Sequence, residues 1–231
     1  MTEQEAQAHA RAAVHAGGHT AGPRLEVQFE DLAKQAHAAR FGMWVFLGSE
    51  LLLFAGLFGL YVAYRSLYPA AFTEGVHHNS LAIGTINTVV LIASSFTVAW
   101  SIHAVRRDQR KVALWMLAAT MALGALFLVL KGVEYTGHFA EGVYPGRYYA
   151  ATAEELTGRG PQVFFTMYYF MTGLHALHMI GGLAVMAWLT RSVARRRTTA
   201  AHHTALELGA LYWHLVDGIW IFLWPLFYLT G

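Results

Sequence analysis

Five long apolar runs, separated by short polar segments, set the pattern of the chain. A helix needs about 20 mostly apolar residues to cross the hydrocarbon core of a bilayer, and each run reaches that length. The predicted spans are Phe41–Tyr64, Leu81–Val105, Val112–Tyr135, Val163–Thr190 and Glu207–Leu229. Because the connections between them are short, we predict an all-α membrane protein whose five transmembrane helices form one bundle.

The region before the first span has a different character. We predict a cytoplasmic tail over residues 1–39 and a five-helix transmembrane domain over residues 40–231. Within residues 25–40 the apolar side chains recur at helical spacing, which predicts a short amphipathic helix at the membrane interface. The apolar positions that carry this pattern are Phe29, Leu32, Ala33 and Ala36. The tail has no apolar core of the kind a signal peptide needs, so we expect none.

Composition and charge agree with a membrane protein and give its orientation. Hydrophobic residues make up 56% of the chain and charged residues 13%, against about 25% charged in an average soluble domain. Most of the 16 Lys and Arg residues lie in the tail and in the second and fourth connections. The positive-inside rule therefore places these segments in the cytoplasm. The same asymmetry explains the net charge of +2, so nucleic acid is not an expected partner, and the absence of cysteine excludes disulfides and thiolate-bound metal.

One carboxylate lies inside the first span, in the sequence GMWVFLGSELLLFAG. Glu50 comes about 15 Å along the helix from Arg40, which places it near the midplane of the bilayer. Ionisable residues at this depth are costly and are candidates for function. Three interpretations stay open: a protonated carboxyl that is hydrogen-bonded within the bundle, a proton relay, and a metal ligand. On the same helix Gly48, Ala55 and Gly59 form a face of small residues suited to close helix packing.

The second and third spans carry further polar groups. In the second span, Asn87, Ser94, Thr97 and Ser101 share one helical face, as expected for hydrogen bonds between helices. The third span ends in LKGVEY, where Glu134 follows Lys131 by three residues, so the two side chains can pair. Because they lie at the outer end of the span, we expect an ion pair at the membrane interface.

The last two spans carry histidines and carboxylates. His175 and His178 are adjacent on one face of the fourth span, and Glu207, His214 and Asp217 share one face of the fifth. Because the two spans are consecutive and antiparallel, we expect their polar stripes to meet near mid-membrane. A di-iron bundle needs Glu-x-x-His on two helices, and that pattern is absent. Haem ligation by a pair of histidines and hydrogen bonding within the bundle remain as alternatives.

Taken in order, these motifs resemble subunit III of the haem–copper oxidase superfamily, in the five-helix form found in bacteria. The matching segments are GMWVFLGSE (Gly42–Glu50), LAIGTINTVVLIASS (Leu81–Ser95), LKGVEY (Leu130–Tyr135), TGLHALHMIGG (Thr172–Gly182), HH (His202–His203) and ELGALYWHLVDGIWIFL (Glu207–Leu223). The resemblance implies an accessory subunit with no haem, copper or other metal of its own. Haem and copper would lie in partner subunits, with subunit I and subunit II as neighbours. Many relatives have seven helices, with two before the equivalent of Phe41–Tyr64.

The resemblance also implies roles for the candidate residues. Arg195, Arg197, His202 and His203 match basic and histidine positions that the family uses around structural phospholipid. It favours hydrogen bonding within the bundle for one polar set: Lys131, Glu134, His175, His178, Glu207, His214 and Asp217. The complex would reduce O₂ to water in the bacterial cytoplasmic membrane, with electrons from cytochrome c.

Four alternatives remain open at this stage. The chain can belong to a quinol oxidase or accompany a nitric oxide reductase. It can also be a stand-alone metalloenzyme that uses Glu50, His175, His178 and His214, or a proton or ion carrier.

Overall fold

The computed structural model describes residues 31–151 and 156–230, and these ranges form helices and connections without a named strand. The helices are α1 (Leu32–Leu67), α2 (Pro69–His78), α3 (Leu81–Arg106), α4 (Arg110–Ala140), α5 (Arg159–Ala194) and α6 (Thr204–Tyr228). A 3-10 turn, Gly146–Tyr148, lies between α4 and α5. All except α2 are long and apolar enough to cross a membrane, which confirms the prediction of five spans.

Helix α1 begins well before the first predicted span. Its N-cap is Asp31, whose Oδ1 accepts a hydrogen bond from the backbone N–H of Lys34 at 2.7 Å. Residues 32–40 therefore form the first turns of one continuous helix of 36 residues. Residues 25–30 lie outside the described ranges, so the tail and its interfacial helix remain a prediction.

The short helix α2 was not expected from the hydrophobic pattern. It starts at Pro69, whose fixed φ suits the first turn of a helix. Its buried residues Phe72 and Val76 face the bundle, and the Phe72 ring meets Phe164 edge-on at 5.3 Å between centroids. Helix α2 therefore covers one end of the bundle between the first two spans.

Helix α6 lies at the centre of the bundle and α1 at its edge. In the most apolar 18-residue stretch of each helix, 50% of α6 is buried inside the protein but only 17% of α1. The buried indoles of Trp213 and Trp220 donate to Ser94 Oγ at 3.0 Å and Thr88 Oγ1 at 3.1 Å. These bonds join α6 to α3. Together with the 2.7 Å bond between Thr97 and Thr120, they confirm the expected bonding between helices for Ser94 and Thr97. Ser101 instead donates to Val98 within α3, and neither polar atom of the Asn87 side chain has a hydrogen-bond partner among the described residues.

Four arginines near the ends of the spans lie at one end of the bundle, whereas Arg65 and Arg159 lie at the other. We call the first of these ends the basic end and define it by Arg40, Arg106, Arg110 and Arg197. The Arg110 side chain donates to the carbonyl groups of Val193 and Ala194, where α5 ends. This contact joins α4 to the end of α5. That the basic end faces the cytoplasm remains a prediction.

Candidate functional site

A buried network of charged and phenolic groups lies towards the end of the bundle opposite the basic end. Lys131 Nζ donates three hydrogen bonds, each 2.8 Å long, to Glu134 Oε2, Tyr168 Oη and Tyr228 Oη. The Tyr228 hydroxyl in turn donates to both oxygens of Glu134, at 2.7 and 2.9 Å. All three N–H groups of the ammonium are therefore used, and α4, α5 and α6 are joined at one point.

The surroundings of this network differ from the sequence expectation. We expected Lys131 and Glu134 to form an ion pair at the membrane interface, but their side chains are only 5% and 2% exposed. The ammonium also lies 4.7 Å from the centroid of the Tyr168 ring and 5.4 Å from that of Trp220, within the range of cation–π attraction. The pair can be buried because hydroxyl groups of tyrosines on α5 and α6 replace the hydrogen bonds that water would make with it at an interface.

The buried network continues towards the surface through two histidines. His138 follows Glu134 by one helical turn, and its ring stacks on His78 of α2 with 5.4 Å between centroids. His78 Nε2 lies 2.7 Å from Glu141 Oε2, and that carboxylate is 57% exposed. A continuous series of titratable side chains thus connects the exposed Glu141 with the buried Lys131. Helix α2 contributes His78 to this series.

Glu50 lies beside His178, near the middle of α1. Glu50 Oε2 is 2.8 Å from His178 Nε2, and His178 Nδ1 is 2.8 Å from the carbonyl oxygen of Leu174. A carbonyl only accepts, so Nδ1 carries a proton. In a neutral imidazole Nε2 then accepts, and Glu50 must be a protonated donor. The alternative is a charged pair of carboxylate and imidazolium. Either way one proton is shared between α1 and α5.

Glu50→Gln is expected to leave folding and assembly intact. The glutamine amide donates to His178 Nε2 as a protonated carboxyl does, so the free energy of unfolding should change by less than about 1 kcal/mol. Glu50→Leu leaves Nε2 without its partner and should cost about 1–3 kcal/mol. Unfolding of both variants in detergent micelles measures the difference. Equal losses for Gln and Leu would mean that the negative charge itself holds α1 in place.

The polar stripes of the last two spans do not meet as expected. His214 turns away from α5, and its Nδ1 lies 2.6 Å from Ser95 Oγ on α3. His175 lies between the rings of Phe127 and Trp220, with 5.5 and 5.3 Å between centroids. Asp217 is buried on α6. Helical spacing identified the faces correctly, but the rotation of α6 directs its polar face towards α3.

Glu207, at the start of α6, forms a charged cluster at the basic end. Its Oε1 accepts from Arg106 Nη2 at 2.5 Å and lies 3.1 Å from His203 Nε2, while Oε2 lies 3.7 Å from Arg40 Nη2. The carboxylate thus links the ends of α1 and α3 to α6. Pairing with two arginines favours the ionised form of this carboxylate.

Two of the four predicted lipid-binding residues line a common pocket. A cavity of about 500 Å³ at the basic end is bordered by Ala33 and Ala36 of α1 and by Arg197 and His202 from the turn before α6. Arg195 is not among the lining residues. His203 belongs to the Glu207 cluster, and its Nδ1 lies 2.9 Å from the Ala200 carbonyl oxygen. The sequence of this loop did not indicate that Arg197 and His202 line the pocket whereas Arg195 and His203 do not.

The tyrosines of the buried network were not predicted from the sequence. Tyr168 lies in a run of aromatic residues, and Tyr228 comes near the end of α6, so nothing in the pattern distinguishes them from lipid-facing aromatics. The one clue in the sequence was Lys131 itself, because a lysine inside a span requires hydrogen-bond acceptors on neighbouring helices.

Together these features define the class of protein. It is a five-span helical membrane protein whose interior polar groups join the helices. Within residues 31–151 and 156–230, no group of three or more His, Cys, Asp or Glu side chains is placed to hold a metal ion.

Comparison with known proteins identifies the family within this class. The sequence profile of the family described as cytochrome c oxidase subunit III matches residues 28–156 and 160–231. Cytochrome c oxidase subunit 3 of Thermostichus vulcanus is 36% identical over 192 residues, covering 81% of this chain and 85% of the relative. The protein of the same name from Tetraodon nigroviridis is 32% identical over 202 residues, covering 83% and 69%. The chain belongs to the cytochrome c oxidase subunit III family.

Proposed function

We propose that this chain is an accessory subunit of a proton-pumping haem–copper terminal oxidase, in which it binds phospholipid and stabilises the catalytic subunit I. The complex takes electrons from cytochrome c and reduces O₂ to water in a bacterial cytoplasmic membrane. Haem and copper belong to subunits I and II. The observation that carries the proposal is the family match over nearly the whole chain.

The interior of the chain supports a bracing role better than a redox role. Two sets of its interior polar groups bond to one another: Lys131 bonds to Glu134 and two tyrosines, and Glu50 pairs with His178. Side chains that satisfy each other hold helices at fixed positions. A rigid bundle of this kind offers a firm surface to a larger membrane subunit.

Two neighbouring cavities support the lipid-binding part of the proposal. The pocket of about 500 Å³ that contains Arg197 shares Ala205 and Leu208 with an apolar groove of about 440 Å³. Phe46, Val185 and Trp188 line that groove. A cationic pocket beside an apolar groove suits a phospholipid, which would place its phosphate near Arg197 and an acyl chain between α1 and the α5–α6 pair.

Arg197→Ala is expected to weaken phospholipid retention. Loss of one cation near a phosphate costs about 1 kcal/mol, or roughly a fivefold loss of affinity. Native mass spectrometry of the purified complex should then show fewer bound phospholipids per chain. The matched control is Arg107→Ala, because Arg107 is exposed at the same end but lies outside both cavities. Equal lipid content in the two variants would show that Arg197 does not contribute to lipid binding.

A further inference from the structure

Apolar contacts hold the middle of α2 against the end of the bundle opposite the basic end. Phe72 and Val76 are buried, and the Phe72 ring meets the rings of Tyr61 and Phe164 edge-on. Gly75 lies directly against the Phe164 ring, where a Cβ would not fit. None of these contacts involves a group that changes charge between pH 5 and 8. The middle of α2 is therefore anchored independently of pH.

The C-terminal end of α2 is held to α4 by a contact that depends on charge. His78 Nε2 lies 2.7 Å from Glu141 Oε2, within ion-pair distance. Within residues 31–151 and 156–230, however, this nitrogen has no partner with hydrogen-bond geometry. An aligned hydrogen bond would also hold a neutral imidazole, whereas a contact without that alignment relies on attraction between imidazolium and carboxylate. The contact is therefore stronger when His78 is protonated than when it is neutral.

Water reaches this contact on one side only. The side chains of His78 and Glu141 are 24% and 57% exposed, so His78 can exchange a proton with solvent. On its other side the His78 ring stacks on His138, which is buried and whose Nδ1 has no hydrogen-bond partner in the described part of the chain. Two imidazolium rings stacked this closely would repel each other. The stacked pair therefore accommodates one proton, on the exposed ring of His78.

The other charged groups at this end of the bundle leave the contact to His78 and Glu141. Within the described ranges they are Arg65 of α1, Glu74 of α2, Lys131 and Glu134 of α4, Arg147 before α5 and Arg159 at its start. Lys131 and Glu134 bond to each other, and Arg65 bonds to Thr230. The aromatic groups that meet the two stacked histidines are Phe165, Tyr168 and Tyr169 of α5, and Tyr228 of α6 bonds to Glu134. Next to His78, the exposed His77 titrates in the same pH range.

We propose that the contact between His78 and Glu141 is a pH-sensitive latch, which holds the C-terminal end of α2 against α4 more tightly as the pH falls. Protonation of His78 closes the latch, and loss of that proton loosens it, between about pH 5 and 8. Because both side chains are in contact with water, the loosened population changes by on the order of threefold. The latch itself does not depend on the proposed function. In a proton pump whose basic end faces the cytoplasm, it lies on the side that receives the protons and closes as that side becomes acidic.

Single cysteines measure the latch, because the chain has no cysteine of its own. Val76→Cys places a thiol under α2 at a position that is 3% exposed, and Val105→Cys places one at a 4% exposed position at the basic end. The complex is isolated through a tag on this chain and treated with a methanethiosulfonate reagent, and mass spectrometry counts the label on this chain. The ratio of the labelling rates at positions 76 and 105 removes the pH dependence of thiol reactivity. We expect this ratio to rise about threefold from about pH 5.5 to about pH 8.

Three further variants, each combined with either cysteine, assign the pH dependence to the latch. His78→Gln and Glu141→Gln each remove one partner and should make the ratio independent of pH. His77→Gln is the matched control, because it removes an exposed histidine beside His78 and should keep the threefold rise. A ratio that is flat without these changes, or a rise that survives in both His78→Gln and Glu141→Gln, would overturn the latch and leave the proposed function standing. If no oxidase subunit purifies with the wild-type chain, the proposed function fails while the ratio still tests the latch.

Discussion

Lys131→Met is expected to lower the free energy of unfolding by about 3–5 kcal/mol, because it leaves the buried carboxylate of Glu134 without its cation. Two tyrosine hydroxyls also lose a donor. Unfolding in mixed micelles of increasing denaturing detergent measures the loss. The control is Lys111→Met, at an exposed position of the basic end, which should change stability by no more than about 0.5 kcal/mol.

A double variant separates lost charge from lost packing. Lys131→Met combined with Glu134→Gln removes both members of the ion pair, so no charge remains buried and part of the stability should return. If Lys131→Met is no more destabilising than Lys111→Met, the buried network does not hold the bundle together.

The second large effect is expected for Gly84→Ala, which acts on the same network from α3. A Cβ at Gly84 would lie 2.7 Å from Cδ1 and 2.8 Å from Cγ of Tyr228. The Tyr228 ring cannot turn away freely, because its hydroxyl bonds to both Lys131 and Glu134. Overpacking of this kind costs about 1–3 kcal/mol.

Gly132→Ala is the matched control for Gly84→Ala. Its Cβ meets no atom within 4 Å, and alanine is favoured over glycine in a helix by roughly 0.5–1 kcal/mol. The two Gly→Ala changes should therefore shift the free energy of unfolding in opposite directions. Two shifts of the same sign would show that Tyr228 adjusts without disturbing its hydrogen bonds.

The sequence predicts the spans well because length and apolar content decide them. The first span extends further than predicted, from Leu32 to Leu67, because polar residues at its N-terminal end still continue the helix beyond the hydrocarbon core. The ten residues of α2 escape prediction because they are too few to span and carry only two strongly buried apolar side chains, Phe72 and Val76.

Which polar residues share a face also follows from the sequence, but their partners do not. Helical spacing places His175 beside His178, yet one faces two aromatic rings and the other faces Glu50. Spacing likewise pairs Lys131 with Glu134, while Tyr228, 94 residues away from Glu134, makes the pair stable in the interior. Partners across helices depend on how each helix is rotated, and one helix's sequence does not determine its neighbour's rotation.

The most direct test of the account is the distribution of haem and copper in the purified complex. The complex is isolated through a tag on this chain, the chain is then separated from the other subunits in stronger detergent, and the absorption spectrum and metal content of both fractions are measured. The account predicts that haem and copper stay with the other subunits and that the separated chain is colourless and free of metal. Haem, copper or iron bound at one per chain in the separated fraction would contradict it.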